Sequence, residues 1–457
     1  MSIFGGITIG GRALSAYQAA MDIIGHNIAN ANTEGYSRQR ATLAATLPDA
    51  MAYGAVGTGV EVSDVRRIRD AYLDLQKYAE LGTLGQWEMK DDALRQLEVY
   101  FPEPSDTSLN NLLSNFWQAW SDVANSPDDQ ISRVNLIQQS LLLTDSINNT
   151  RSKMGQCQEN IDGLIESKVD EVNSITSQIA VLNGQILSSE TGGHPANDLR
   201  DTRDLLASQL SKIIDFSLNE QADGTYAISI GGRPAVWATQ TSEIEAVPDG
   251  SNGNLVALRW KGTGEEITPS NGELAGLIDA RDVSIPAYID KLDALVTSLM
   301  GAVNDLHVVG HDLNGDEGIA FFSGSDASDI TVNQDIQDDP SLIAAASSAN
   351  PGDNANARAI AALMDTSIDI NTLSTTFSKY YQSQIIGSLG IETQEAGQTR
   401  ENESLIVDQL SDNIQAVSGV SLDEEMTTMI QYQHAYEAAA KYMIMAGQML
   451  DSLMAII

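Results

Sequence analysis

His307 and His311, in the stretch "HVVGH", stand one helical turn apart, the spacing at which two imidazoles on one helix face can share a zinc ion. A metalloprotease would place its general-base glutamate directly after the first histidine, and Val308 occupies that position. Just beyond, Asp312, Asn314 and Asp316 in "DLNGDEG" repeat the opening of a calcium loop. Gly318 falls one place late, however, and Ser323 stands where a bidentate glutamate should close the loop, so a turn held by Asx hydrogen bonds is expected instead. Cys157 is the single cysteine and can close no intramolecular disulfide or thiolate metal site. No Gly-x-Ser-x-Gly elbow occurs, and "GAVGTG" at 54–59 lacks the spacing of a phosphate-binding loop. With 63 Asp and Glu, chance pairs of carboxylates nominate nothing. No catalytic residue, cofactor or metal is expected, and a metal-dependent hydrolase using His307 and His311 is the alternative in that class.

Composition narrows the partners. The chain has 457 residues, enough for a substantial core in two or three domains. Lys and Arg number 25, giving a formal net charge of −38, which repels phosphate; no nucleic acid and no membrane insertion are expected. The start, "MSIFGGITIGGRALSAYQAAMDIIGH", lacks the basic leader and unbroken apolar run of a Sec signal, and no run of about 18 uncharged apolar residues is found.

The clearest regularity is at the two ends. Ile7, Gly10, Leu14, Tyr17, Met21, Ile24, Ile28 and Ala31 recur at coiled-coil spacing, and beside them runs a stripe of small residues, Ala13, Ala16 and Ala20, continued by Ile23, Asn27 and Asn30. The C-terminal segment repeats the pattern with Leu422, Met426, Met429, Tyr436, Ala440, Met443, Leu450 and Met454, next to Tyr432, Ala435, Ala439, Tyr442, Ala446, Met449 and Leu453. A single helix with two apolar stripes needs more than one neighbour, and one of about 25 residues is marginal alone. Both ends are therefore expected to become helical on packing with each other and with further copies.

Between the ends, Asp128 to about Ser189 holds no proline and reads as long antiparallel helices, with "TSLNNLLSNFWQAWSDVANSPDD" as a shorter helix docked on them. From about Ile213 the period changes to alternation. Asp223-Gly224 marks a hairpin, "GNLVALRWKGTGEEI" reads as another strand pair, and β-rich character is expected to about residue 350, around a helix at 283–308. Helical periodicity resumes near Asn371. The expected fold is α+β and multidomain, an elongated helical bundle and coiled coil formed by the N- and C-terminal segments, with an inserted β-rich outer domain. The divisions fall at 1–65, 66–212, 213–350, 351–420 and 421–457.

Asn27 and Asn30 lie beside the apolar seam, where a buried amide can fix helix register, although either can equally be an ordinary cap or turn residue. Asn32 and Gly35 suit a left-handed helix end. The whole stretch "HNIANANTEGYSRQR" resembles the N-terminal signature of the bacterial flagellar rod, hook and hook-associated proteins. The stretches "PANDLRDTRDLLASQLSKIIDFSLNEQADGTYAISIGG" and "SGVSLDEEMTTMIQYQHAYEAAAKYM" narrow the likeness to hook-associated members, and so does the long "QENIDGLIESKVDEVNSITSQIAVLNGQI", which rod and hook subunits lack. The resemblance implies a non-enzymatic structural subunit, exported without a cleaved signal peptide and assembled extracellularly at the hook-filament junction as a homo-oligomer. Its implied partners are the hook protein, a second junction protein and a cytosolic chaperone on the C-terminal helix. It also implies structural and assembly roles for Asn27, Asn30, Asn32, Gly35 and Tyr36, and interface roles for Leu422, Met426, Tyr432, Tyr436 and Ala439. Cys157 departs from the family's usual lack of cysteine. A rod or hook subunit and a free secreted adhesin are the other readings.

Overall fold

The computed structural model describes residues 3–51, 54–105, 108–350 and 352–455, without the side chains of Ile3, Phe4 and Leu453. The first helix, α1 (Ile3–Ala29), leads into a ribbon in which β1 (Gln39–Ala45) pairs antiparallel with β4 (Val60–Arg67). The ribbon bulges between Thr42 and Leu43, and the short hairpin of β2 (Asp49–Met51) and β3 (Gly54–Val56) extends from it. Asp70 caps α2 (Ala71–Val99) by accepting from the Tyr72 N–H, and Ser108 caps the aromatic-rich α3 (Leu109–Asn125) in the same manner through Asn111. The expected start of α3 at Thr107 lies outside the described residues.

From Asp129, which caps it through Ile131 and Ser132, α4 (Gln130–Ser189) runs for 60 residues without a break. One continuous helix thus replaces the expected antiparallel pair. At 1.5 Å per residue it is about 90 Å long. No proline interrupts it, and buried Leu136, Leu143, Ile147, Met154, Ile161, Ile165, Val169, Val172, Ile179 and Ile186 give it a neighbour along its whole course. Lys168 falls on the seam position, but its ammonium pairs with Glu273 at 2.7 Å and Glu171 at 2.9 Å, and Val169 fills the core place.

α5 (Asn197–Ile213) returns along α4 and feeds a four-stranded antiparallel sheet ordered β5 (Ser217–Glu220), β6 (Tyr226–Ile230), β7 (Arg233–Trp237), β8 (Gln240–Thr241). The first hairpin turns at Asp223-Gly224, with Gly224 at φ +80°. β9 (Ile244–Pro248) pairs with β10 (Val256–Trp260), and within "GNLVALRWKGTGEEI" the chain turns back on β10 by a short antiparallel bridge between Arg259 and Glu266, with the Trp260 N–H donating to the Glu265 carbonyl and the Ile267 N–H to that of Leu258. α6 (Glu273–Asp279) passes through a π-turn at 280–284 into α7 (Ile285–Val309). Among the described residues this rod alone is long and apolar enough to cross a membrane, and it is a core element: Tyr288, Leu292, Leu295, Val296, Leu299 and Val303 are buried.

Residues 311–350 depart from the expected β-rich character. They hold two two-residue strands, the small helix α8 (Gln334–Asp338) and turns, because Gly and Asp there close loops instead of alternating with apolar residues. α9 (Ala355–Ala361) follows. Asn371, expected to open a helix, is the left-handed corner (φ +55°) of a hairpin at 368–375, and helix begins only with α10 (Phe377–Tyr380), which a π-turn joins to α11 (Ser388–Ser418). After Gly419, α12 (Leu422–Met454) runs back beside α1. One continuous apolar core joins α2–α11 with the other sheets; no described side chain of α1, the β1–β4 ribbon or α12 belongs to it. The molecule is predominantly helical, with a smaller strand-containing part and its two ends paired to each other.

Candidate assembly interface

α1 meets α12 through members of both rows, Gly10, Tyr17 and Ile24 from the first and Asn27 from the second. Gly6, Gly10, Ala16, Ala20, Ile24 and Asn27 are buried along one line of α1. A Cβ at Gly10 would lie 3.2 Å from Met443 Cβ, and one at Gly6 would lie 3.1 Å from the Tyr442 hydroxyl. Glycine lets the helices approach this closely. Tyr17 faces Tyr432 with ring centroids 6.0 Å apart. Leu14, Met21 and Ile28, from the seam of larger residues, remain half-buried.

α12 is more one-sided. Met429, Tyr432, Tyr436, Ala439, Met443 and Leu450 are half-buried toward α1, and Ala446 is buried. On the opposite side, Leu422, Met426 (57% exposed), Ile430, Ile444, Met445 and Met449 (63% exposed) face solvent. Leu453 has no described side chain. The pair therefore has a closed seam and, on its outer side, two exposed apolar clusters at 422–430 and 444–449 with polar His434, Glu437 and Lys441 between them, a pattern that a lone soluble chain does not need.

At the end of α1 the asparagines separate in role. Asn27 is 1% exposed and makes four hydrogen bonds. Its Nδ2 donates to the Gln39 carbonyl (2.9 Å) and the Glu425 carboxylate (3.0 Å), and its Oδ1 accepts from the Tyr36 hydroxyl (2.7 Å) and the Gln39 N–H (2.9 Å). One amide thus ties α1, the turn, β1 and α12 at a single point and satisfies its full capacity. Burial first, then the carboxylates of Asp198, Asp201 and Glu425, push the Tyr36 phenol far above its ordinary value, so it remains a donor. Asn30 reaches no second helix: its Nδ2 donates to the His26 carbonyl at 3.0 Å and its Oδ1 accepts from Thr33. Asn32 is exposed and not left-handed; Gly35 alone takes that conformation (φ +77°), pressed toward Leu205.

Sequence reasoning missed the partners of this turn. The first half of α5 presents Asn197, Asp198, Asp201 and Asp204 to it at helical spacing. Asp201 accepts from the Ser37 N–H (3.0 Å) and pairs with Arg67 (2.8 Å), and Asp204 pairs with Arg67 (2.7 Å) and Arg69. Burial opposes the charge of Arg67, but Asp204 and Asp201 outweigh it and hold the guanidinium above its ordinary pKa. Acids recurring at 198, 201 and 204 in a helix, with arginines at 67 and 69 at a strand end, are the available signal, though the bonded pairs lie 134 to 137 residues apart in sequence.

His307 and the residues with calcium spacing have structural partners for their side chains, whereas His311 is held by its backbone and its Nδ1 is buried with no hydrogen-bond partner. His307 is fully buried; its Nδ1–H donates to the Ile319 carbonyl at 2.5 Å and its Nε2 accepts from the Ala344 N–H at 2.9 Å, which occupies both ring nitrogens. His311 pairs through its backbone with Ala346. Asp312 accepts from the N–H groups of Asn314 and Asp316, an Asx turn.

The profile of the flagellar hook-associated protein FlgK helical domain matches residues 94–322, that of the flagella basal body rod protein matches 7–36, and that of the flagellar basal body rod FlgEFG protein C-terminal region matches 413–456. The two rod profiles fall on α1 with its turn and on α12. Flagellar hook-associated protein 1 of Bacillus subtilis (strain 168) is 32% identical over 99% of this chain and 98% of its own length. The chain belongs to the flagellar hook-associated protein 1 family. The Escherichia coli (strain K12) relative of that name is 26% identical over 96% of this chain and 97% of its own length. The solved flagellar hook junction protein FlgK of Burkholderia pseudomallei shares the fold at a TM-score of 0.66, with 16% identity, over 75% of this chain and all of that one. This chain is a structural subunit of the flagellar hook junction and assembles with other flagellar components.

Proposed function

We propose that the chain is a non-catalytic adaptor that joins hook to filament by packing the open face of its α1–α12 pair against neighbouring subunits. The exposed apolar side of α12 carries this reading. Covering each large side chain on it contributes roughly 1.5–3 kcal/mol, enough in a ring of copies to hold a lattice. Neighbouring copies of this chain pack laterally, the hook protein lies on one side and a second junction protein on the other, and the strand-containing part points outward. Export proceeds without a cleaved signal peptide to the extracellular flagellum. Before export, a cytosolic chaperone shields the same apolar clusters of α12, since exposed side chains of this size would otherwise associate. Leu14, Met21 and Ile28, half-buried on α1, complete the interface with neighbours.

The test changes the open face and spares the seam. In cells producing the Met426→Glu, Ile430→Glu, Met449→Glu variant, hooks are expected to remain bare and filament protein to accumulate in the medium. Filaments attached at wild-type numbers would contradict the proposal.

A further inference from the structure

The joint between the terminal pair and the body is built unlike either part. Two covalent crossings link them, β4 to α2 and α11 to α12 at Gly419, and among the described residues no apolar side chain of the terminal part enters the main core. The joint is polar instead, and much of it converges on the first half of α5. Asn197 Nδ2 donates to the Val65 carbonyl (2.9 Å), Gln39 Nε2 donates to Asp198 (2.7 Å), and Ser37 and Arg67 bind Asp201. Arg67 and Arg69 bind Asp204, which also accepts from the Tyr226 hydroxyl of the sheet. Asp201 and Asp204 are both buried, and Arg69 is held in turn by Asp74 of α2 at 2.8 Å. The second half of α5 behaves differently: Ala207, Leu210 and Ile213 are buried against the body.

One helix is thus rooted in the body by apolar packing and grips the terminal part by charge. Beside the grip lies an open crevice of 460 Å³ between the Asn32–Gly35 turn, α5, α2 and α11, where Leu205 against Gly35 is a local apolar contact and the directional bonds are those of the grip. We infer that the acidic face of α5, through Asp201 and Asp204 on Arg67 and Arg69, is the clasp that sets the orientation of the terminal helix pair relative to the body. Directional, charge-assisted bonds hold an angle where a greasy contact would let it slide. Breaking them releases that angle without unfolding either part. The inference rests on the adaptor reading only in giving the orientation a use.

The experiment measures the angle directly on the full chain, with spin labels at Lys441→Cys on α12 and Leu164→Cys on α4. Both positions are exposed, whereas Cys157 is buried and takes no label. The parent should give one narrow distance distribution. Asp201→Asn with Asp204→Asn should broaden it roughly twofold or more, while the α4 amides keep their protection from hydrogen exchange. Arg67→Gln with Arg69→Gln, on the connector side, should do the same and decides the matter if the first variant loses α4 protection. An unchanged narrow distribution overturns the inference. So does loss of α4 protection in both variants, because the network would then hold the body together and not its orientation. Filament attachment is scored separately: a released angle with filaments still attached leaves the clasp standing and counts against a need for fixed orientation in the adaptor.

Discussion

At the scale of single residues, Asn27 carries more than any apolar side chain near it. Replacing it with Ala leaves the Glu425 carboxylate and the Gln39 N–H buried without their partner, at about 2–4 kcal/mol. Amides of α1 and α12 should then exchange faster while those of α4 do not change. Equal loss in α4 would mean that Asn27 supports the whole chain. His307 gives a second outcome, in pH. Burial holds its pKa at about 4 against an ordinary 6.5, so the unfolded chain takes up the proton first. Stability from this site is complete above about pH 6.5 and is lost as pH falls toward 4, by about 3 kcal/mol in total. A His307→Gln variant should lack that part of the slope in denaturant titrations across this range. The sequence made Asn27 visible by its place beside the seam. It did not separate Asn27 from Asn30, because only the direction of the turn decides which amide meets Glu425.

Among the elements, the two terminal helices were legible because their period is long and unbroken. What periodicity could not say is that the inward line draws on both stripes, Gly10 and Ile24 from one and Ala16, Ala20 and Asn27 from the other. Small residues face α12 because backbones that approach closely gain more contact than larger side chains held apart. Gly10→Leu should therefore separate the helices and cost the pairing about 1–3 kcal/mol. Gly11→Leu is the control, since a Cβ at Gly11 meets nothing within 4 Å. Similar exchange rates in the two variants would contradict the close seam. The single α4 escaped the sequence reading because missing breakers show that a helix continues but not whether it turns back. Residues 311–350 escaped it because turn-forming Asp and Gly look alike in hairpins and in loops. The charged clasp escaped it because its two sides meet only in the folded chain.

For the whole molecule, the decisive feature is the division between a body with a large apolar core and a terminal pair whose described side chains stay out of that core and bury only a narrow seam of their own. A pair closed on one side and open on the other is explained by neighbours that complete it. The most direct measurement is maleimide labelling of Met449→Cys, since Cys157 is buried and burial raises its thiol pKa. In the free monomer this position should react at the rate of an exposed thiol, and in isolated hook-filament junctions it should be strongly protected. Equal reactivity in the two states would contradict the account.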